Sequence, residues 1–166
     1  LHPHTLEETV ERSALLHAAH IAYGGDPFEA GNSRPLDFGH WAAHKLEQLT
    51  DFELSHAEAV SIGVALDTLY SWKSGRLDEA SAMRILKVIN KLQLPTWHAS
   101  LEQKCANGTR EVFNGLEEFR EHLGGELTVL LLRGIGKGED VHSMDKMLLD
   151  ECVDWLATQA TLPVKS

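Results

Sequence analysis

The chain has 166 residues, 43% of them hydrophobic and 24% charged, with a formal charge of −10 at neutral pH. That is enough for one buried core with the ordinary balance of a soluble globular protein, so a single domain over residues 1–166 is expected. The acidic balance, with no basic stripe to offset it, excludes a nucleic-acid partner. No apolar run is long enough to span a membrane, and Cys105 and Cys152 lie far apart without C-x-x-C spacing, so a reducing cytoplasm is the expected location.

The chain opens on Leu1, and Leu6, Val10, Ala14, Leu15, Ala18, Ile21 and Ala22 predict an amphipathic first helix. Thr5 and Glu8 are spaced for a capping box at its start. Gly24 to Ser33 turns to Gly, Asp, Pro and Asn and predicts a loop. Residues 38–50 predict a second helix, which Asp37 is placed to cap unless it acts in a site. Ser55 caps a third helix that runs to about Ser74 and stops at Gly75. That helix is apolar nearly all round, through Ala59, Val60, Ile62, Ala65, Leu66 and Leu69, so it should be central.

Residues 77–92 predict an amphipathic helix with Ala80, Met83, Ile85, Leu86, Val88, Ile89 and Leu92 inward, and Pro95 closes the array. Short helices are expected at 100–105 and 114–123. One short strand is expected near residues 127–132. The glycines at 134, 136 and 138 lack the spacing of a dinucleotide loop and predict a plain turn. A last helix begins at Ser143 or Asp145, with Met147, Leu148, Cys152, Val153 and Leu156 inward. The expected fold class is therefore mainly α.

The chemistry is concentrated in Arg34-Pro35-Leu36-Asp37-Phe38-Gly39-His40-Trp41-Ala42-Ala43-His44 and, after a break, Ser55-His56-Ala57-Glu58-Ala59-Val60. His40 and His44 stand four apart in a helical segment, so both imidazoles project from one face, one turn apart. His56 opens the next helix. Neutral imidazole is a common ligand for zinc and similar ions, and the cluster reads as half of a metal site. Taken singly, each histidine is as readily a hydrogen-bonded core residue or a surface one. Glu58 either orients His56 or stabilises its helix through the macrodipole. The Arg34 guanidinium suits bidentate recognition of phosphate or carboxylate.

Together the two segments resemble the G-H-x-x-x-H and H-G-E-A-V motifs in the C-terminal half of 3-dehydroquinate synthase and its sugar-phosphate cyclase relatives. The step from His40 to His56 matches as well. The resemblance covers most of the chain and is strongest over residues 26–95, from Asp26-Pro27-Phe28-Glu29 through Gly63-Val64-Ala65-Leu66 to Leu94-Pro95. It implies the helical C-terminal domain of that fold. It further implies that His40 and His56 hold a divalent metal, zinc or cobalt, with His44 and Glu58 as catalytic residues. Arg34, Asp37, Glu29 and His17 fall at substrate-binding positions of the family.

Several positions depart from the synthase pattern. Asp37 stands where the family has the asparagine of L-N-F-G-H, His17 stands at a family lysine, and Arg34 lies one residue closer to His40. The D-K-K lysine before the last strand is missing, and Gly115 to Gly125 is more like cyclases outside the shikimate pathway. A carboxylate in place of an amide, with two ammonium groups gone, changes how a carboxylated, phosphorylated substrate is held. That puts 3-dehydroquinate formation in doubt. Overall the chain is most similar to the cyclase-like proteins of bacterial ebo gene clusters.

In the family, a half that binds NAD precedes this region and supplies a glutamate as third metal ligand. The resemblance therefore implies a fragment of a longer, homodimeric enzyme, inactive alone and without tight zinc binding. The implied reaction is NAD-assisted phosphate elimination and intramolecular aldol cyclisation of a seven-carbon sugar phosphate at the metal. Two other classes compete. A helical metal-dependent phosphohydrolase would show an H-D dipeptide, which does not occur. A non-catalytic helical binding or scaffold domain descended from the family would fit the lost lysines equally well.

Overall fold

The computed structural model describes residues 3–23, 35–122 and 124–160. Residues 1–34 and 35–166 form two compact units. The first contains α1, Pro3–Tyr23. Proline is tolerated in a first turn, where its missing N–H has no helical partner. Because the helix already runs at Pro3, Thr5 lies inside it and does not cap it. Its carbonyl accepts from the Thr9 hydroxyl at 2.7 Å, while Glu8 pairs with Arg12 at 2.7 Å.

The second unit holds α2 (His40–Leu49), α3 (His56–Lys73), α4 (Glu79–Lys91), α5 (Asn114–His122), a hairpin of β1 (Val129–Gly134) and β2 (Lys137–Val141), and α6 (Lys146–Ala160). Short 3-10 turns occupy Pro35–Asp37, Ala99–Glu102 and Glu111–Phe113. The mainly helical expectation holds. Among the described residues no helix is long and apolar enough to cross a membrane.

Helix α3 is the hub, packed against α2, α4, α6 and β1. Its apolar residues Ala59, Ile62, Ala65, Leu66 and Leu69 are fully buried, as the all-round pattern predicts. Each buried Leu or Ile contributes about 1.5–3 kcal/mol, so this one helix carries much of the apolar stabilisation. Ser55 and Glu58 form the capping box at its start, and Gly75, at φ 76°, follows its end.

Helices α2 and α3 approach too closely for side chains at their crossing. A Cβ on Gly63 would lie 1.9 Å from the Gly39 carbonyl oxygen, and one on Gly39 would lie 2.4 Å from the Val64 nitrogen. Gly39 also adopts φ 82° at the N-cap of α2, a left-handed conformation that favours glycine. The expected cap by Asp37 is therefore replaced. Asp37 ends the preceding 3-10 turn, and no side chain caps α2.

Beyond Pro95 the structure adds what the apolar pattern could not show. The expected strand pairs antiparallel with β2, whose residues Lys137 to Asp140 are polar; Val129 faces Val141 and Leu132 faces Gly138 across the ladder. Gly136, at φ 76°, makes the turn, as the rejected phosphate loop implied. Val88 and Met147, expected inward, are 52% and 78% exposed; Leu149 is buried instead on α6. Arg110, only 5% exposed, ties the 3-10 segment to α6, with its guanidinium 2.6 Å from Asp154, 3.3 Å from Asp150 and 3.6 Å from Glu102.

Candidate metal centre

Three histidines converge at the α2–α3 corner. His40 is the first residue of α2, His44 follows one turn later, and His56 is the first residue of α3. Their ring centroids are 5.6 Å (His40–His44), 5.5 Å (His40–His56) and 6.0 Å (His44–His56) apart. Zn–N bonds of about 2.0–2.1 Å in tetrahedral geometry place ligand ring centroids roughly 5 Å apart, so the three rings stand near the spacing at which imidazoles share one divalent ion. The loop between the helices brings His56 back to α2 through Asp51 and Phe52, both non-glycine residues at positive φ (50° and 62°).

The ring nitrogens are sorted by their partners. His40 Nδ1 lies 3.3 Å from the Phe38 carbonyl oxygen, and His56 Nδ1 lies 3.2 Å from both carboxylate oxygens of Glu47. Carbonyl and carboxylate oxygens only accept, so both Nδ1 atoms donate. That leaves each Nε2 lone pair for a ligand bond, the tautomer that outer partners commonly fix on metal-binding histidines. Burial holds the His40 imidazole below its ordinary value, opposed by the bond to Phe38. His44 and His56 push it down further, and Asp37 pulls it up. The net effect favours the neutral, ligating form.

Ligand atoms of His44, Glu47 and His56 also lie within 4.8 Å of one another. That grouping overlaps the three-imidazole set but differs in using Glu47. Both Glu47 oxygens face His56 Nδ1, which suits the carboxylate to stand behind the imidazole as its outer partner. Beside His44 a cleft of about 320 Å³ opens between α2 and α5, lined in part by Trp41, Glu47, Phe52, Phe119 and His122.

The other expected site residues are distributed differently. Asp37 acts electrostatically on His40. The Glu58 carboxylate is engaged in the capping box, accepting from the Ser55 N–H at 3.1 Å, and these Ser55 bonds lower its pKa. His17 is an exposed residue of α1, in the first unit. Arg34 and Glu29 lie outside the described residues.

The sequence reading does not single out Glu47 or Asp67. Glu47 completes an H-x-x-x-H-x-x-E spacing along one helical face, which is a readable signal. Asp67 is an acid on a helix apolar all round, fully buried, with Oδ2 accepting from the Gly39 N–H at 3.0 Å and Oδ1 from the Trp41 indole N–H at 2.8 Å. Burial pushes its carboxyl up to about 7 against both of those bonds.

Comparison with known proteins gives the family. The family model for the 3-dehydroquinate synthase C-terminal region matches residues 1–112, a span that includes all three histidines. The chain belongs to the 3-dehydroquinate synthase family. It is 35% identical over 109 residues to a 2-epi-5-epi-valiolone synthase of Streptomyces albus, covering 66% of this chain and 25% of that protein. It is 34% identical over 132 residues to a 3-dehydroquinate synthase of Campylobacter curvus, covering 79% of this chain and 36% of that one.

A solved structure of the family resembles this chain. ValA, the 2-epi-5-epi-valiolone synthase from Streptomyces hygroscopicus subsp. jinggangensis 5008 with NAD+ and Zn2+ bound, superposes with a TM-score of 0.78 at 28% identity. The match covers 91% of this chain and 40% of that one. The chain thus spans well under half the length of these relatives. It is a member of the sugar-phosphate cyclases with the helical architecture of their C-terminal region.

Proposed function

We propose that the chain is the metal- and substrate-binding part of an enzyme that cyclises a seven-carbon sugar phosphate by NAD-assisted phosphate elimination and intramolecular aldol closure. The observation that carries this reading is the convergence of His40, His44 and His56, with Nδ1 of His40 and of His56 engaged by an acceptor behind the ring. The ValA structure, which contains both NAD+ and Zn2+, supports the cofactor assignment. When bound, a divalent ion supplies Lewis-acid polarisation of a substrate oxygen and NAD supplies a transient hydride acceptor.

In this reading His40 and His56 hold zinc or cobalt through Nε2, and Glu47 keeps His56 in the required tautomer. His44, exposed beside them at the mouth of the cleft, moves a proton at its free ring nitrogen. Asp37, Arg34, Glu29 and His17 contact substrate, and the third metal ligand and most of the NAD site come from outside this chain. Glu58 serves the catalytic helix by holding its first turn. The intact protein is a cytoplasmic homodimer.

The test is His56→Ala in the intact protein. Metal content, by elemental analysis, and inorganic phosphate release from a seven-carbon sugar phosphate with NAD should both be lost. Retention of both would discard the cyclase site and leave a non-catalytic helical scaffold.

A further inference from the structure

His40 sits where a helix start needs a fastener and has none of the usual kind. Gly39, its N-cap, offers no side chain, and α2 begins without a side-chain cap. The groups on either side of His40 are nevertheless fixed by one residue. The Gly39 N–H donates to Asp67 Oδ2 at 3.0 Å and the Trp41 indole donates to Asp67 Oδ1 at 2.8 Å. The two bonds straddle the histidine in sequence and anchor it to α3, the helix that begins with His56. The glycine crossing of Gly39 and Gly63, one turn before Asp67, brings the two helices close enough for both bonds.

The anchor is itself held. The Ser71 hydroxyl donates to the Asp67 main-chain carbonyl at 2.6 Å and accepts from the Leu132 N–H of β1 at 3.0 Å. The turn of α3 that carries the carboxylate is thereby tied to the hairpin. Among the described residues no lysine, arginine or histidine pairs with Asp67, which is fully buried. Burying a carboxylate with only neutral donors is unfavourable for stability, and an apolar residue there would remove that term. A carboxylate does one thing an apolar side chain cannot: it offers two acceptors in one rigid plane to two donors flanking His40.

We infer that Asp67 is a positioning residue for the metal centre, fixing His40 relative to His56 by accepting hydrogen bonds from Gly39 and Trp41. This rests on the proposed metal role of His40 and His56. Asp67 touches neither metal nor substrate; it acts through the backbone and indole that frame His40. Asn at this position loses one acceptor and turns an N–H2 toward a donor. Trp41→Phe deletes one of the two donors and leaves the other.

The test uses Co2+ alone as probe, titrated into the intact protein and followed by visible absorption, whose bands report coordination geometry. The wild-type protein takes up Co2+. Asp67→Asn weakens uptake about tenfold, the scale of losing an outer partner of a metal ligand, and changes the shape of the bands. Trp41→Phe weakens it less and changes the bands in the same sense. Leu149→Ala, a fully buried position on α6, lowers the melting temperature but leaves affinity and bands at wild type.

The inference is overturned if both site variants bind Co2+ as wild type does, or if Leu149→Ala weakens binding as much as they do. Should Asp67→Asn fail to fold, Trp41→Phe against Leu149→Ala decides. An intact wild-type protein that takes up no Co2+ overturns the metal reading itself and this inference with it.

Discussion

Among the described residues, one acidic and one basic side chain are buried, Asp67 and Arg110, and the fold treats them in opposite ways. Arg110 is surrounded by three carboxylates, Glu102, Asp150 and Asp154, whose side chains are 45%, 49% and 67% exposed. Asp67 has no opposite charge and is satisfied by two neutral N–H donors. The first arrangement neutralises charge and tolerates loose geometry, since any of three partners can move. The second is directional, and its geometry is passed directly to His40. Charge compensation fastens the 3-10 segment to α6, whereas hydrogen-bond direction is used at the corner where imidazole spacing matters.

The largest effect expected from disturbing this contrast is at the glycine crossing. Gly63→Ala places a Cβ 1.9 Å from the Gly39 carbonyl, so the helices must separate. A loss of about 3 kcal/mol or more in urea denaturation is expected, with Co2+ uptake lost in parallel. Stability loss with normal uptake would show that the crossing does not set the site.

Arg110→Ala should lower stability by about 2 kcal/mol in the same measurement, less than for a fully enclosed pair, because its acidic partners can hydrate once freed. Co2+ binding should not change. If it does, the two regions are coupled and the contrast is wrong.

The third prediction concerns pH. The Asp67 carboxyl is raised from 3.8 to about 7, so the stability it contributes is fully present below 3.8 and is lost as pH rises through 7. His40, held below its ordinary value, works in the opposite sense, losing stability as pH falls below 6.5. Asp67→Asn retains His40 but removes the carboxyl titration. The stability gap between wild type and Asp67→Asn should therefore narrow as pH rises from 4 to 7. A gap constant across that range would mean that Asp67 titrates as an ordinary surface carboxyl.

The smallest effect is salt dependence. In about 1 M salt, where screening acts within roughly 3 Å, the deficit of Arg110→Ala should shrink by a few tenths of a kcal/mol, and that of Asp67→Asn should not. Equal sensitivity would erase the distinction between the two kinds of burial.

Much of the corner was legible in the sequence for identifiable reasons. His40 and His44 are linked by helical periodicity and His56 by spacing, and the all-round apolar pattern of α3 announced its central place. Strand β2 was not legible, because Lys137 to Asp140 carry no apolar alternation and pair mainly through backbone bonds. The apolar character of Val88 and Met147 predicts inward positions, while the neighbouring elements bury other faces of α4 and α6. Asp37 suited a cap by composition, yet the left-handed Gly39 starts the helix two residues later. Glu47 and Asp67 escaped notice because a single acid on a helix has no partner visible along the chain. Their partners, His56 and Gly39 with Trp41, are brought to them only by the α2–α3 fold.

The glycine crossing bears on protein engineering. Gly39, Trp41, Glu47, Gly63 and Asp67 make the contacts that frame His40 and His56, and all lie between residues 38 and 73, on two consecutive helices and the cap of the first. That stretch is a candidate cassette for grafting a histidine cluster onto another helical scaffold. The recipient would need to supply an apolar cover for α3 and an N–H in place of Leu132 to engage Ser71.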